Sequence, residues 1–254
     1  MATQVLKIPG RTTAFVMDGF DLSNNYNEYK FKRDANLIDA TGFGQRFSYG
    51  LAGVQKCTLE MKGFYTPGLG NIDFLSHQRF GQDSDVLVGL APYGYTVLNP
   101  AVIMPTVITK YDMDAKNKDA VMLDMEFAAR GAVDDGFILS DPRTLITATG
   151  ASSVLDYTAT TGATTAAGCS AQLHVLSVSG TTPSITGKIQ HSATVGGTYA
   201  DLITFNAQTA VGSQRQVIDA GTTIQPCIKF SYTVSGTTPI LGVFVAFARG
   251  VAYT

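Results

Sequence analysis

From Lys56 to Lys62 the side chains alternate without a break: Lys56, Thr58, Glu60 and Lys62 on one side, Cys57, Leu59 and Met61 on the other. Residues 121 to 128 repeat the pattern, with Val121, Leu123, Met125 and Phe127 opposed to Met122, Asp124, Glu126 and Ala128. A period of two is the period of a β-strand; a helix would scatter the same residues around its axis. Two such runs demand a sheet with one face on a core and the other solvated.

Further strands are expected at 12–18, 86–90 and 106–111. One short helix is expected over Asn71 to Phe80, capped by Asn71 with Ile72 and Leu75 on one face. The second half carries strand-like runs at 172–179, 184–191, 198–206, 214–218, 228–234 and 240–249, with turn signals between them. Val178-Ser-Gly-Thr-Thr-Pro183 recurs as Val234-Ser-Gly-Thr-Thr-Pro239. Its Gly and Pro read as one hairpin turn used twice. The fold class is mainly β: an N-terminal β-sandwich or barrel with one short helix, plus a C-terminal antiparallel β-sandwich.

Charge divides the chain. Residues 1–150 hold 14 Lys/Arg and 17 Asp/Glu, whereas 151–254 hold only 4 and 3. The shift places a first domain at 1–148, a Thr/Ala/Gly-rich linker at 149–167 and a second domain at 168–254. Net charge is −2 and charged residues make up only 15%. A near-neutral chain has little electrostatic claim on nucleic acid or anionic membrane, and low charge removes one brake on self-association.

Residues 86–109 carry no charged side chain, but Pro92, Pro100, Pro105, Gly89 and Gly94 interrupt them, so no membrane span is expected. The N-terminus shows no signal-peptide pattern. Cys57, Cys169 and Cys227 are odd in number and far apart, which implies reduced thiols in a chain made in a cytoplasm; Cys57 and Cys227 read as small buried hydrophobes.

No residue set points to catalysis, cofactor or metal. Asp112-x-Asp114-x-Lys116 resembles the start of a calcium loop, but Lys116 occupies a ligand position and Leu123 stands where a bidentate Glu belongs. Gly42-x-Gly44 and Gly68-x-Gly70 lack the continuation of a phosphate loop. His77, His174 and His191 have no metal spacing, although His174 and His191 could neighbour each other across two strands. The chain is expected not to be an enzyme.

The stretch 38–65 combines a loop bearing Gly42, Gly44, Gly50 and Gly53 with Phe43, Phe47, Tyr49 and Leu51. Its Asp39-Ala-Thr-x-Phe run, then Gly50-Leu51-x-Gly53, then the alternating strand ending Lys62-Gly63-Phe64-Tyr65, resembles the tail tube (major tail) proteins of long-tailed bacteriophages. The likeness extends, more weakly, over roughly residues 1–148. It implies a tail-tube fold for the first domain and a structural virion protein. It also implies hexameric rings closed edge to edge and stacked into a tube, with DNA passing through the lumen without specific binding. The implied tail partners include the tape measure and tail terminator proteins. Phe43, Phe47, Tyr49 and Leu51 then become candidates for inter-ring contacts, and Asp124, Glu126 and Glu60 candidates for the lumen, where Lys56 and Lys62 complicate an acidic lining. The second domain would ride on the outer surface. The alternative is a virion decoration or glycan-binding adhesion role carried by that domain, with Tyr157, Tyr199, Phe205, Phe230, Tyr232, Phe244 and Phe247 as the aromatic pool.

Overall fold

The structure is a computed structural model and describes residues 13–39, 50–65, 72–115, 120–158 and 164–250. Phe43, Phe47 and Tyr49, the expected inter-ring aromatics, lie outside the described residues. The chain is mainly β with one helix described. The strands are β1 (Ala14–Met17), β2 (Phe20–Asp21), β3 (Tyr26–Asp39), β4 (Gly50–Phe64), β5 (Val86–Ala91), β6 (Pro100–Asp114), β7 (Met122–Ala129), β8 (Asp134–Ser140), β9 (Gly150–Ala151), β10 (Leu155–Asp156), β11 (Cys169–Ser192), β12 (Ala200–Thr204), β13 (Gly212–Ile218) and β14 (Cys227–Arg249). The helix is α1 (Ile72–Arg79), where the Asn71–Phe80 run predicts it. Every register recorded between strands is antiparallel, and the sheet is open rather than a closed barrel. No described helix is long and apolar enough to cross a membrane.

The chain divides into two compact units. One comprises Met1–Ser23, Leu87–Met104 and Asp134–Thr254; the other comprises Asn24–Val86 and Pro105–Val133. This grouping cuts across the 1–148 and 168–254 division expected from charge. The cause is strand pairing: β8 pairs with β14 through Phe137↔Phe247 and Ile138↔Ala246. The linker stretch also contributes, since β9 and β10 both pair with β14.

The first unit is built on β11 and β14, which pair along almost their whole lengths, from Cys169↔Arg249 to Ser192↔Cys227. The two Val-Ser-Gly-Thr-Thr-Pro copies correct the hairpin expectation. Each lies inside a continuous strand, and the copies face each other, with Thr181 opposite Thr237. The register shifts on both sides of that pair, between Ser179 and Thr181 and between Thr181 and Ser184. A Cβ on Gly180 (φ 120°) would fall 2.6 Å from the Thr238 carbonyl oxygen, and one on Gly236 (φ 106°) 2.6 Å from that of Thr182. Turn chemistry is thus used to bend a paired ribbon, not to end it. Bulged bends of this kind let strands pass from one layer of a sandwich to the other.

Beyond the bend, Ile185, Ile189 and Phe230 share one core with Leu173, Val175, Val243 and Phe247 from before it. On the opposite face of β14, Phe244, Ala246 and Ala248 join a second core with Val16, Ala91, Ile103 and Ile138. The run Leu241–Ala248 is therefore buried on both faces, which explains its unbroken apolar sequence.

The second unit is a four-stranded antiparallel sheet in the order β3–β4–β7–β6, with residues 106–114 of β6 as its last strand. Leu59, Met61, Leu123, Met125, Phe127 and Ile108 form its buried face. The helix is tied to that face: the Ser76 hydroxyl donates to Met125 Sδ at 3.1 Å, and His77 and Phe80 set their rings against Tyr111. Strand β3 was not evident from the sequence, and its pairing with β4 shortens the loop expected within the stretch 38–65: residues 38–39 and 50–53 belong to strands.

Candidate assembly surface

The face of the four-stranded sheet turned away from Met125 is set by register. Residues directly opposite on neighbouring strands share a face. One row across the sheet therefore reads Lys30, Glu60, Glu126, Lys110; the next reads Glu28, Lys62, Asp124, Asp112. The strands also continue as a two-stranded ribbon past the end of β7, where Asp34 opposes Lys56. Glu60, Asp124 and Glu126, the three carboxylates singled out from alternation, are thus brought onto one face, and Glu60 stands directly across from Glu126.

Like charges directly opposite each other destabilise a sheet. Here lysines from the flanking strands relieve them. Lys32 Nζ donates to Glu60 Oε1 at 2.8 Å. Lys110 Nζ lies 2.8 Å from Asp124 Oδ2 and 3.1 Å from Asp112 Oδ2. The hydrogen bond from Lys32 holds the Glu60 carboxyl below its ordinary range. Asp124 first, then Asp112, holds the Lys110 ammonium above its ordinary value. The surface is a mixed lattice of paired charges rather than a uniformly acidic one.

Sequence reasoning missed Glu28, Lys30, Lys32 and Lys110 as members of this face. A signal existed in β3: Glu28, Lys30, Lys32 and Asp34 alternate with Tyr29, Phe31 and Arg33. It was weak because the other side of β3 is itself half-polar, with Arg33 over the Phe31 ring at 5.1 Å and Tyr29 36% exposed. Leu51 lies in β4 opposite Ile38. Among the described residues β3, 14 residues long, pairs with β4 alone.

His174 and His191 share strand β11; His174 is fully buried, and His191 Nδ1 accepts the Gln225 backbone N–H at 3.1 Å. Among the described residues no group of three or more His, Cys, Asp or Glu could hold a metal ion. Cys57, Cys169 and Cys227 are free thiols and buried. Of the aromatic pool for sugar stacking, Tyr157, Phe205, Phe230, Phe244 and Phe247 are buried. Tyr199 has Lys229 Nζ 3.9 Å from its ring centre, which covers one face.

No family model matches the chain, and no curated protein matches it. Solved structures similar to it include a chain of the virion of a native gene transfer agent particle, 16% identical, covering 51% of this chain and 98% of that one at a TM-score of 0.42. The SPP1 Dit protein, described as a hub of the adsorption apparatus in phages that infect Gram-positive bacteria, is 11% identical, with 93% and 99% covered at a TM-score of 0.36. A chain of the anti-feeding prophage baseplate is 11% identical, with 53% and 97% covered at 0.37.

Proposed function

We propose that the protein is a structural subunit of a long-tailed phage tail, assembling into hexameric rings that stack into the tube through which the genome leaves the virion. One observation carries the reading. A sheet closed by a helix on one face presents a lattice of interleaved charges on the other and ends in a 14-residue strand that, among the described residues, is paired on one side only. An open edge of that length is a hazard for a protein that stays alone, and pairing with a neighbouring copy removes it. Six sheets joined in this way would turn the charged face toward a common channel. Lys32 and Lys110, already held by carboxylates, offer little to a passing phosphate, and the acidic neighbours repel it, so DNA would slide rather than stick. The weight rests on this sheet and on the sequence likeness of residues 38–65, not on the distant structural similarities. The tape measure inside the tube and the terminator at its end would be the partners in the tail. Residues 168–254 would face outward.

Negative-stain microscopy of the concentrated full chain is expected to show rings or tubes with a central hole. Dispersed monomers at high concentration would overturn the proposal. Phe43→Asp with Phe47→Asp is expected to leave rings but abolish their stacking, with circular dichroism and melting unchanged. Unfolded monomers would instead place those two rings in a core.

A further inference from the structure

The β1–β2 hairpin turns at Asp18 and Gly19, both at positive φ (47° and 86°). The turn is pressed onto β13: a Cβ on Gly19 would fall 2.5 Å from the Gly212 backbone nitrogen, so only glycine fits. Polar contacts fix it, among them the Asp18 N–H donating to the Leu87 carbonyl at 3.0 Å. The Gly19 N–H donates to His174 Nδ1 at 3.2 Å. The Ser213 hydroxyl donates to Asp18 Oδ1 at 3.2 Å, and the Leu87 N–H donates to the same oxygen at 2.9 Å. Because Nδ1 accepts, the ring proton sits on Nε2, which donates to Gln172 Oε1 at 3.1 Å. His174 and Gln172 are both 0% exposed, and the Phe244 ring stands edge-on to the imidazole at 5.8 Å.

We propose that His174 is an acid-sensitive latch, whose protonation frees the Asp18–Gly19 turn and β2 from β11 and β13 while the two cores of that unit persist. A proton on Nδ1 turns the acceptor into a donor. It then faces the Gly19 N–H donor head-on, and the contact that seats the turn becomes repulsive. The charged groups around the ring are few. Asp18 is on the turn itself. Arg215 lies on β13 opposite Gln172, and its guanidinium is engaged by Asp134 of β8 at 2.9 Å. β14 presents Phe244, and β5 presents the Leu87 backbone. Among the described residues Asp18 is an anion close to the ring, and its Oδ1 is already engaged by the Ser213 hydroxyl and the Leu87 N–H. Burial pushes the imidazole down from 6.5 to about 3. The unfolded or released imidazole therefore binds the proton first as pH falls. The contribution of the neutral ring is complete above pH 6.5 and is lost progressively toward pH 3.

The chain has no Trp, so Phe20→Trp supplies a single fluorescent reporter on β2. On lowering the pH from 7 to 3, the reporter is expected to become solvated before far-UV circular dichroism changes. His174→Gln keeps an acceptor for Gly19 but cannot titrate, and is expected to move the reporter transition down by about one pH unit or more. Coincident reporter and dichroism transitions, or an unshifted transition in His174→Gln, would overturn the latch. Should His174→Gln not fold, the C2-proton exchange of His174 in the wild-type chain decides. Titration well below the ordinary histidine range supports the latch, and titration within that range sinks it.

Discussion

The molecule contains two long antiparallel ribbons, and it treats them in opposite ways. β11 and β14 run for 24 and 23 residues and are bent over on themselves, so that β14 ends buried on both faces. β3 and β4 run for 14 and 15 residues and keep one face in solvent, and among the described residues β3 pairs with β4 alone. The first ribbon satisfies its hydrogen bonds and its apolar surface within one chain. In the second, β4 is paired on both sides over Thr58–Gly63 and buries Leu59 and Met61, but the ribbon runs on past the end of β7, and a two-stranded ribbon extending past its sheet is marginal alone in water. The contrast separates a ribbon buried within its own unit from one that, on the proposed reading, a neighbouring copy would complete.

The largest expected effect falls on the bend of the first ribbon. Gly180→Val would put a branched side chain at φ 120° with its Cβ 2.6 Å from the Thr238 carbonyl oxygen. Neither strand can yield without breaking the pairing of the other, so a loss of about 3 kcal/mol or more is expected. Urea unfolding followed by circular dichroism measures it, and a wild-type midpoint would mean the bend is not fixed by glycine. Arg33→Val on the second ribbon, an exposed β3 position, is the control and should shift the midpoint little.

The two ribbons were also unequally legible. Lys56–Lys62 and residues 121–128 announced themselves because one side of each alternation is fully apolar. β3 did not, since the side it shares with Leu59 and Met61 carries an exposed Arg33 and a Tyr29 that remains 36% exposed. The Gly-Thr-Thr-Pro repeats were visible, but the same residues make a turn or a bend. What decides is the partner strand 56 residues away, which no local pattern names. The charged face shows the same limit. Alternation put Asp124, Glu126 and Glu60 on solvated strand faces, whereas the lysines that pair with them come from β3 and β6 and depend on register. His174 looked like an ordinary histidine because its acceptor role rests on a turn 155 residues away.

Ion pairs allow a finer comparison of the two units. Arg215 and Asp134 meet at 2.9 Å with side chains only 16% and 24% exposed, and Ser170 adds a 2.6 Å hydrogen bond to the same carboxylate oxygen. Arg215→Gln leaves that carboxylate half-satisfied and poorly hydrated, at an expected cost of roughly 2 kcal/mol that added salt does little to change.

Lys110→Gln should show the opposite signature. Lys110 stands at 39% exposure between Asp112 and Asp124, with Glu126 directly opposite, so its removal leaves three carboxylates facing one another in solvent. The repulsion is real but screened, because water and counterions reach every member of the cluster. Melting at low ionic strength is expected to drop slightly, and about 1 M salt, where the screening length is near 3 Å, should erase the difference. The same variant makes the charged face more acidic without touching the β3 edge, so ring formation should survive it. A salt-independent loss of stability would mean that this face is buried against protein, and the exposed lattice on which the tube reading rests would fail with it.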